Sequence, residues 1–299
     1  MHGDLKRLVK VLRSAKLVSA LPSAPDQVKW TGGKSVLVIL GDLIDKWHKS
    51  KEVIALLRKL QRDAESNGGQ IIILMGNHEA EFLAFPKNKK LAEKQQDRKR
   101  TFFHQLKDPT EVANCKNDLG QFLCNLPIAV RVNDWFFSHG GNTKNRTIEE
   151  LSAAIKDGVN SKLGFASKEL TGDDDSILEA RLRPKPWFYP HPKRSLNEYV
   201  EKLGVRHLVQ GHQPGPVEFD DEIERERNTF FQRYGLLFLI DSGMSRGNKN
   251  KKRATVLGAP YAFGMETMPW SFAPMVRGRR CGMRARFPTI KQCAAQKNP

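Results

Sequence analysis

The stretch SVLVILGDLID, residues 35–45, runs from the apolar residues Val36 to Leu40 directly into Gly41, Asp42 and, further on, Asp45. An apolar run without alternation suits a strand covered on both faces, so the segment reads as an inner strand whose carboxyl end carries two acids. The arrangement recurs along the chain. QIIILM leads into GNHE (76–79), WFF into SHGG (138–141), RHLVQ into GHQPG (211–215) and LLFLI into DSGM (241–244). Each is a short β-type run that ends in small and polar, metal-capable residues.

Helical periodicity fills the intervals. LKRLVKVL places Leu5, Leu8, Val9 and Leu12 on one stripe. KEVIALLRKLQRD does the same with Val53, Ile54, Leu57 and Leu60, with Ser50 as the expected N-cap and Gly68-Gly69 closing the connection. SLNEYVEKLGV (195–205) is a third helical segment, ended by Gly204. Strands alternating with helices predict an α/β layered core, in which ligands gather at the carboxyl ends of the strands. All the polar motifs stand at such ends.

At 299 residues, with 39% apolar and 8% aromatic content, the chain can bury a core of its own, which excludes a wholly disordered protein. No run of about 18 apolar residues is present to span a membrane. The polar start MHGDLKRL lacks the apolar stretch of a secretory signal, so a cytoplasmic protein is expected. Cys115, Cys124, Cys281 and Cys293 show no C-x-x-C spacing and are too few for a disulfide framework; free thiols are expected. The net charge of +17 is uneven, because from residue 246 onward twelve Lys/Arg face the single acid Glu266, a net of +11. The expected organisation is one domain over 1–245 and a flexible basic tail over 246–299. Such a tail could meet nucleic acid or another anionic surface, or dock back through Trp270 and Phe272. The basic run KNKKLAEKQQDRKR (87–100) mixes acids among its bases and has no aromatics to stack on nucleobases, which predicts an exposed helix.

Asp42, Asn77, His139 and His212 each follow a strand-like run by a residue or two, and His2 stands at the start. Carboxylate oxygen, amide oxygen and imidazole nitrogen make a mixed, fairly hard ligand set suited to Mn²⁺, Fe or Zn²⁺. Any one of these residues alone fits a cap or a satisfied polar group. Together, in the same strand-end context, they point to a metal site.

The motifs GD-x-x-D, GNHE, HGG and GH, in this order and at these intervals, resemble those of the calcineurin-like metallophosphoesterases, specifically the phosphoprotein phosphatase branch. RHLVQGHQPG followed by LLFLIDSGMSRG is most similar to the bacterial-type members, including the Shewanella-like phosphatases. The match spans roughly residues 1 to 245. MHGDL resembles the family's D-x-H-G-D motif entered at its x position, so the family's leading Asp would lie one residue upstream. The resemblance implies a layered αββα sandwich missing its first strand. It also implies two divalent metal ions, Mn²⁺ first and Fe or Zn²⁺ next, with His2 and Asp42 on one and Asp42, Asn77, His139 and His212 on the other. His78 matches the family's catalytic His and Asp45 the Asp that orients it, although Asp45 also fits a helix-start residue ahead of KEVIALL. Asp241 is expected to be structural or to support the ligands.

Chemically, two cations about 3.5–4 Å apart activate a water as hydroxide for in-line attack on phosphorus. A carboxylate-held His then protonates the leaving alkoxide. The implied function is therefore a metal-dependent phosphatase acting on phosphomonoesters, in proteins or in small molecules. Two alternatives remain open. One is a diadenosine-tetraphosphate or pyrophosphate hydrolase; the other is a degenerate, non-catalytic protein that binds through its basic tail. The family usually reads GD-x-x-DRG, its Arg clamping the substrate phosphate, whereas this chain has Lys46 and Trp47. Lysine lacks the bidentate fork, so Lys46 is expected to share phosphate binding with Arg181 or Arg183 of SILEARLRPKPW.

Overall fold

The computed structural model describes residues 1–19, 27–87 and 101–248. The run that opens the sequence argument forms β1 (Val36–Ile39), which pairs in parallel with β2 (Gln70–Ile73). A mixed five-stranded sheet is built from β3 (Ala129–Val132), β4 (Trp135–Ser138), β5 (His207–Gln210), β8 (Phe231–Arg233) and β9 (Leu237–Leu239), in the order β3-β4-β5-β9-β8. In it β4, β5 and β9 run parallel, flanked by antiparallel β3 and β8. A small ribbon of β6 (Val217–Glu218) and β7 (Glu224–Arg225) precedes β8. This is the α/β class the alternating pattern predicts.

The helices follow the apolar stripes. In α1 (Leu5–Ser14) Leu5, Leu8, Val9 and Leu12 are buried, and the Asp4 side chain caps the first turn by accepting from Arg7 N. In α2 (Ser50–Ser66) Val53, Ile54, Leu57 and Leu60 face the core. Ser50 is not its cap: Lys49 holds that position, and Ser50 is fully buried with its backbone N donated to Gln105 Oε1 at 2.9 Å. A side chain from another segment thus replaces local capping. The chain continues through α3 (Asn77–Ala84), α4 (Phe102–Gln105), α5 (Pro109–Ala113), α6 (Asp118–Cys124) and α7 (Ile148–Asn160). Helix α8 (Pro192–Lys202) starts earlier than its stripe suggests, because Pro192 takes a first-turn position where a missing N–H costs nothing.

Helices cover the outer face of β1 and β2. A separate apolar cluster of Leu40, Ile72, Leu74, Val130, Val132 and Val209 joins the two sheets across their inner faces. Both faces of β2 from Ile71 to Ile73 are buried, whereas β1 is buried only at its carboxyl end, with Val36 exposed and Leu37 and Val38 half-buried, so the unbroken apolar run overstates the cover on β1.

One expectation fails among the cysteines. Cys115 and Cys124 form a disulfide, with Cα atoms 6.1 Å apart. Helices α5 and α6 fold back on one another and bring the two together, a tertiary effect that spacing does not reveal. Cys281 and Cys293 lie outside the described residues, as do residues 88–100, which hold most of the basic run read as an exposed helix. So do residues 249–299 of the basic extension, including Trp270 and Phe272. The first residue of that extension is docked. Arg246 grips the fully buried Asp4 carboxylate through Nε (2.9 Å) and Nη2 (2.7 Å) and lies over the Trp47 ring at 4.6 Å. No helix among the described residues is long and apolar enough to cross a membrane.

Candidate metal centre

Four loops meet at the carboxyl ends of β1, β2, β4 and β5. The first two abut so closely that no side chain fits between them: a Cβ on Gly41 would lie 2.2 Å from Gly76 N, and one on Gly76 2.4 Å from Asp42 N. That is the physical demand behind the glycines of GD and GN. Glu79, with no exposed surface, ties the loops together. Its Oε2 accepts from Asp42 N (2.8 Å) and Gly76 N (2.9 Å), and its Oε1 from Leu43 N (2.8 Å) and Ile44 N (3.1 Å). The segment before α1 joins by backbone pairing, His2 N to Asp42 O and Gly3 N to Leu43 O, each at 2.7 Å. Left-handed backbone gathers here: His2, Asp42, Asp45, Lys46 and His212 all have φ between 52° and 63°. Such conformations cost non-glycine residues of order 1 kcal/mol each and concentrate at functional sites.

These turns aim the side chains inward. Asp42 Oδ1 lies 3.3 Å from His139 Nε2, and His139 Nε2 is 3.1 Å from both Asn77 Oδ1 and His212 Nδ1. On the other side, Asp42 Oδ2 lies 3.2 Å from His2 Nε2. The ligand-type atoms of Asp42, His139 and His212 all lie within 4.8 Å of one another, as do those of His2, Asp42 and His78. Asp42 belongs to both groups, one oxygen to each.

The donor chemistry tests whether a cation fits. His139 donates Nδ1–H to Leu40 O, which leaves its Nε2 an acceptor. That acceptor faces the Asn77 and Asp42 oxygens and a second ring nitrogen, an arrangement that repels itself unless a positive ion stands among them. Burial holds the His212 ring well below the usual imidazole range, with His139 adding to the effect, so the ring is neutral as a ligand must be. Burial works against the Asp42 carboxylate, but positive charge on the imidazoles of His139, His2 and His78, in their protonated forms, holds it well below the usual carboxylate range. The His2 half fits less completely. Its ring gives Nδ1–H to Ile44 O at 3.1 Å, and the freed Nε2 already meets the Lys46 ammonium at 2.9 Å. A cation there must displace that ammonium.

His78 and Asp45 are paired as the motif suggests, Nδ1 to Oδ2 at 2.9 Å, while Asp45 Oδ1 accepts from Phe102 N at 2.7 Å. Asp45 is thus not a helix-start residue; both oxygens are used five residues ahead of α2. Burial and Lys46 both oppose a charged His78, yet Asp42 and Asp45 outweigh them and raise its pKa.

Of the residues expected at the substrate phosphate, Lys46 is turned onto His2. Arg181 is exposed at the rim, close enough to act electrostatically on Glu179 and His212. Arg183 pairs with Asp174 at 3.7 Å. Asp241 is structural: its Oδ1 accepts from Gly243 N, and its backbone O from the buried Arg225 at 2.6 Å. Sequence reasoning passes over Glu79, whose position three residues after Gly76 is the only local sign of its capping role. It also passes over Glu81 and Glu179, which carry no local sign.

Fold and site together define a layered α/β protein with a cluster of residues able to hold a metal ion at the ends of its strands. The chain belongs to the calcineurin-like phosphoesterase family, whose model matches residues 1–216. It is 27% identical over 270 residues to Shewanella-like protein phosphatase 1 of Plasmodium berghei, covering 82% of this chain and 65% of that protein. With Shewanella-like protein phosphatase 2 of Arabidopsis thaliana it shares 34% identity over 79 residues, 26% of this chain and 19% of that one. The chain thus spans less than two thirds of either relative's length. Its fold is similar to that of a cold-active protein-tyrosine phosphatase of a psychrophilic Shewanella species, with a TM-score of 0.55 and 20% identity over 82% of this chain and 70% of that one.

Proposed function

We propose that this chain is a metal-dependent phosphatase that hydrolyses phosphomonoesters, with phosphorylated Ser, Thr or Tyr of proteins as the substrate class. The observation that carries the reading is the cluster of acceptors from four separate loops, Asp42, Asn77, His139 and His212, in a family of phosphoesterases. The protein phosphatase relative supports the substrate class.

In this reading Asp42, Asn77, His139 and His212 would hold one divalent cation, and Asp42 with His2 would hold another, Mn²⁺ being the first choice. Such ions supply Lewis acidity at the phosphoryl oxygens and make water acidic enough to attack at neutral pH. The protein's own contribution is positional and protonic. Asp42 stands between the two halves, with Oδ1 toward His139 and Oδ2 toward His2. Asp45 orients His78 through Nδ1 and favours its charged form, which leaves Nε2–H free to protonate the departing alkoxide. Arg181, exposed at the rim, supplies charge for the substrate phosphate. A proton held by a positioned His is worth roughly 10²- to 10⁴-fold in rate.

The direct test is Mn²⁺-dependent phosphate release from p-nitrophenyl phosphate and from a phosphopeptide, with His78→Ala expected to lower kcat by at least about 10²-fold. Absence of turnover on either substrate in the metal-loaded chain refutes the reading. Turnover confined to a dinucleoside polyphosphate would replace it with the pyrophosphatase alternative.

A further inference from the structure

Besides His78, whose outer nitrogen is taken by Asp45, three imidazoles face the centre, and each must give its outer N–H somewhere if its inner nitrogen is to serve as a ligand. Two of them use backbone carbonyls: His2 donates to Ile44 O and His139 to Leu40 O. His212 has no such partner. Its Nδ1 points to the cluster, its Nε2 is buried without a hydrogen bond among the described residues, and Glu179 Oε2 stands 3.5 Å away. Asn77 poses a parallel problem, because its amide can present either oxygen or nitrogen to the cluster. Its Nδ2 donates to Glu81 Oε1 at 3.3 Å and also interacts with Glu179, which leaves Oδ1 facing His139. Glu81 stands close enough to Glu179 to act on it, so one carboxyl pair serves both neutral ligands.

The pair is fixed to the same loops it supports. Gly140 N, next to His139, donates to Ile177 O at 2.7 Å on one side of Glu179. On the other side the Gln213 amide, next to His212, both accepts from Leu182 N and donates to Leu182 O at 2.7 Å. Residues 177–182 are thereby pinned to the HGG and GHQ motifs at two points, with the Glu179 side chain between them.

Building on the metal-centre reading above, we infer that Glu179, seconded by Glu81, is a positioning residue that sets the tautomer of His212 and the orientation of Asn77 toward the cation. Neither carboxyl is itself a ligand in this arrangement. Outer partners of this kind typically contribute 10- to 100-fold in metal affinity.

The test is titration of the full chain with Mn²⁺ alone, followed by electron paramagnetic resonance of the free ion, for the parent and for Glu179→Leu, Glu179→Gln and Glu81→Leu. Glu179→Leu should weaken Mn²⁺ binding about 10- to 100-fold, Glu81→Leu less, and Glu179→Gln, which keeps an acceptor oxygen, should recover most of the loss. The d–d absorption of the Co²⁺-loaded chain should change in Glu179→Leu and be restored in Glu179→Gln. A merely structural Glu179 would lower the melting temperature of the metal-free chain without moving either metal readout. Mn²⁺ affinity of Glu179→Leu within twofold of the parent overturns the inference. If KM for p-nitrophenyl phosphate also rises, Glu179 belongs to Arg181 instead. Failure of the parent itself to bind Mn²⁺ overturns the metal-centre reading as well, and so separates the two.

Discussion

Replacing Glu79 by Gln changes one atom of a fully buried side chain and should be among the most damaging isosteric substitutions in the protein. The carboxylate accepts four backbone N–H groups, two on each oxygen, from Gly76 and from Asp42, Leu43 and Ile44. An amide offers one acceptor, so whichever way it lies two backbone donors lose their partner and meet another donor. Hydrogen bonds to a charged group are worth about 1.5–3 kcal/mol each, which puts the gross loss at roughly 3–6 kcal/mol. Part of this returns, because burial and the nearby Asp42 both raise the Glu79 pKa, and a neutral side chain escapes those costs. The lower end, about 3 kcal/mol, is therefore the expected net. In a domain of this size each kcal/mol lowers the melting temperature by roughly 2–4 °C, so the shift is about 6–12 °C. Differential scanning calorimetry of the metal-free chain measures it, with Glu81→Gln, which engages no backbone donor, as the control. A Glu79→Gln melting point within about 2 °C of the parent would refute the claim that this carboxylate is what holds the two loops together.

Asp45→Asn removes the charge that favours protonated His78, so the ring loses its proton at lower pH and the basic limb of the kcat profile on p-nitrophenyl phosphate moves acidward; an unmoved limb excludes His78 as the acid. Cys124→Ser opens the disulfide to Cys115 across nine positions, a loop worth about 2–3 kcal/mol. Dithiothreitol should then lower the melting point of the parent and leave that of the variant unchanged, and equal sensitivity would deny the bond. Arg246→Ala takes the guanidinium from Asp4, a loss of about 1–3 kcal/mol. Although burial alone would raise Asp4, the Arg246 contact depresses its pKa, so the pairing's share of the deficit should be full above the unfolded value near 4 and be lost as pH falls through the lower folded value in urea titrations; a deficit that does not shrink at low pH contradicts the pairing.

The fold is legible where burial is local and hidden where it is not. Gln70 to Ile73 announces a strand because helices cover one face of it and the second sheet the other, and a doubly covered strand shows as an unbroken apolar run; Val36 to Ile39 reads the same way although only its carboxyl end is so covered. The ligands are legible for the same reason, since a strand end is a fixed place and the residue just past it has few directions to take. Cys115 and Cys124, Glu81 and Glu179, and the ammonium of Lys46 are legible only in three dimensions. Each depends on two segments folding onto one another. Lys46 shows the difference most sharply. Its place after Asp45 suggests a substrate-facing cation, but its left-handed backbone, φ 58°, directs the side chain onto His2.

The same backbone explains why composition alone would not place such turns. His2, Asp42, Asp45, Lys46 and His212 take a conformation that favours glycine, and none of them is glycine, because each must carry a side chain into the centre. Local preference therefore opposes the site, and something non-local must outweigh it. The Glu79 carboxylate, the backbone pairing of His2 and Gly3 with Asp42 and Leu43, and the Gln213 clamp on Leu182 are the interactions that do so. All three join segments far apart in the chain. Strain at the cluster and long-range bonding around it are two sides of one requirement: acceptors that repel one another must be held together before any cation arrives.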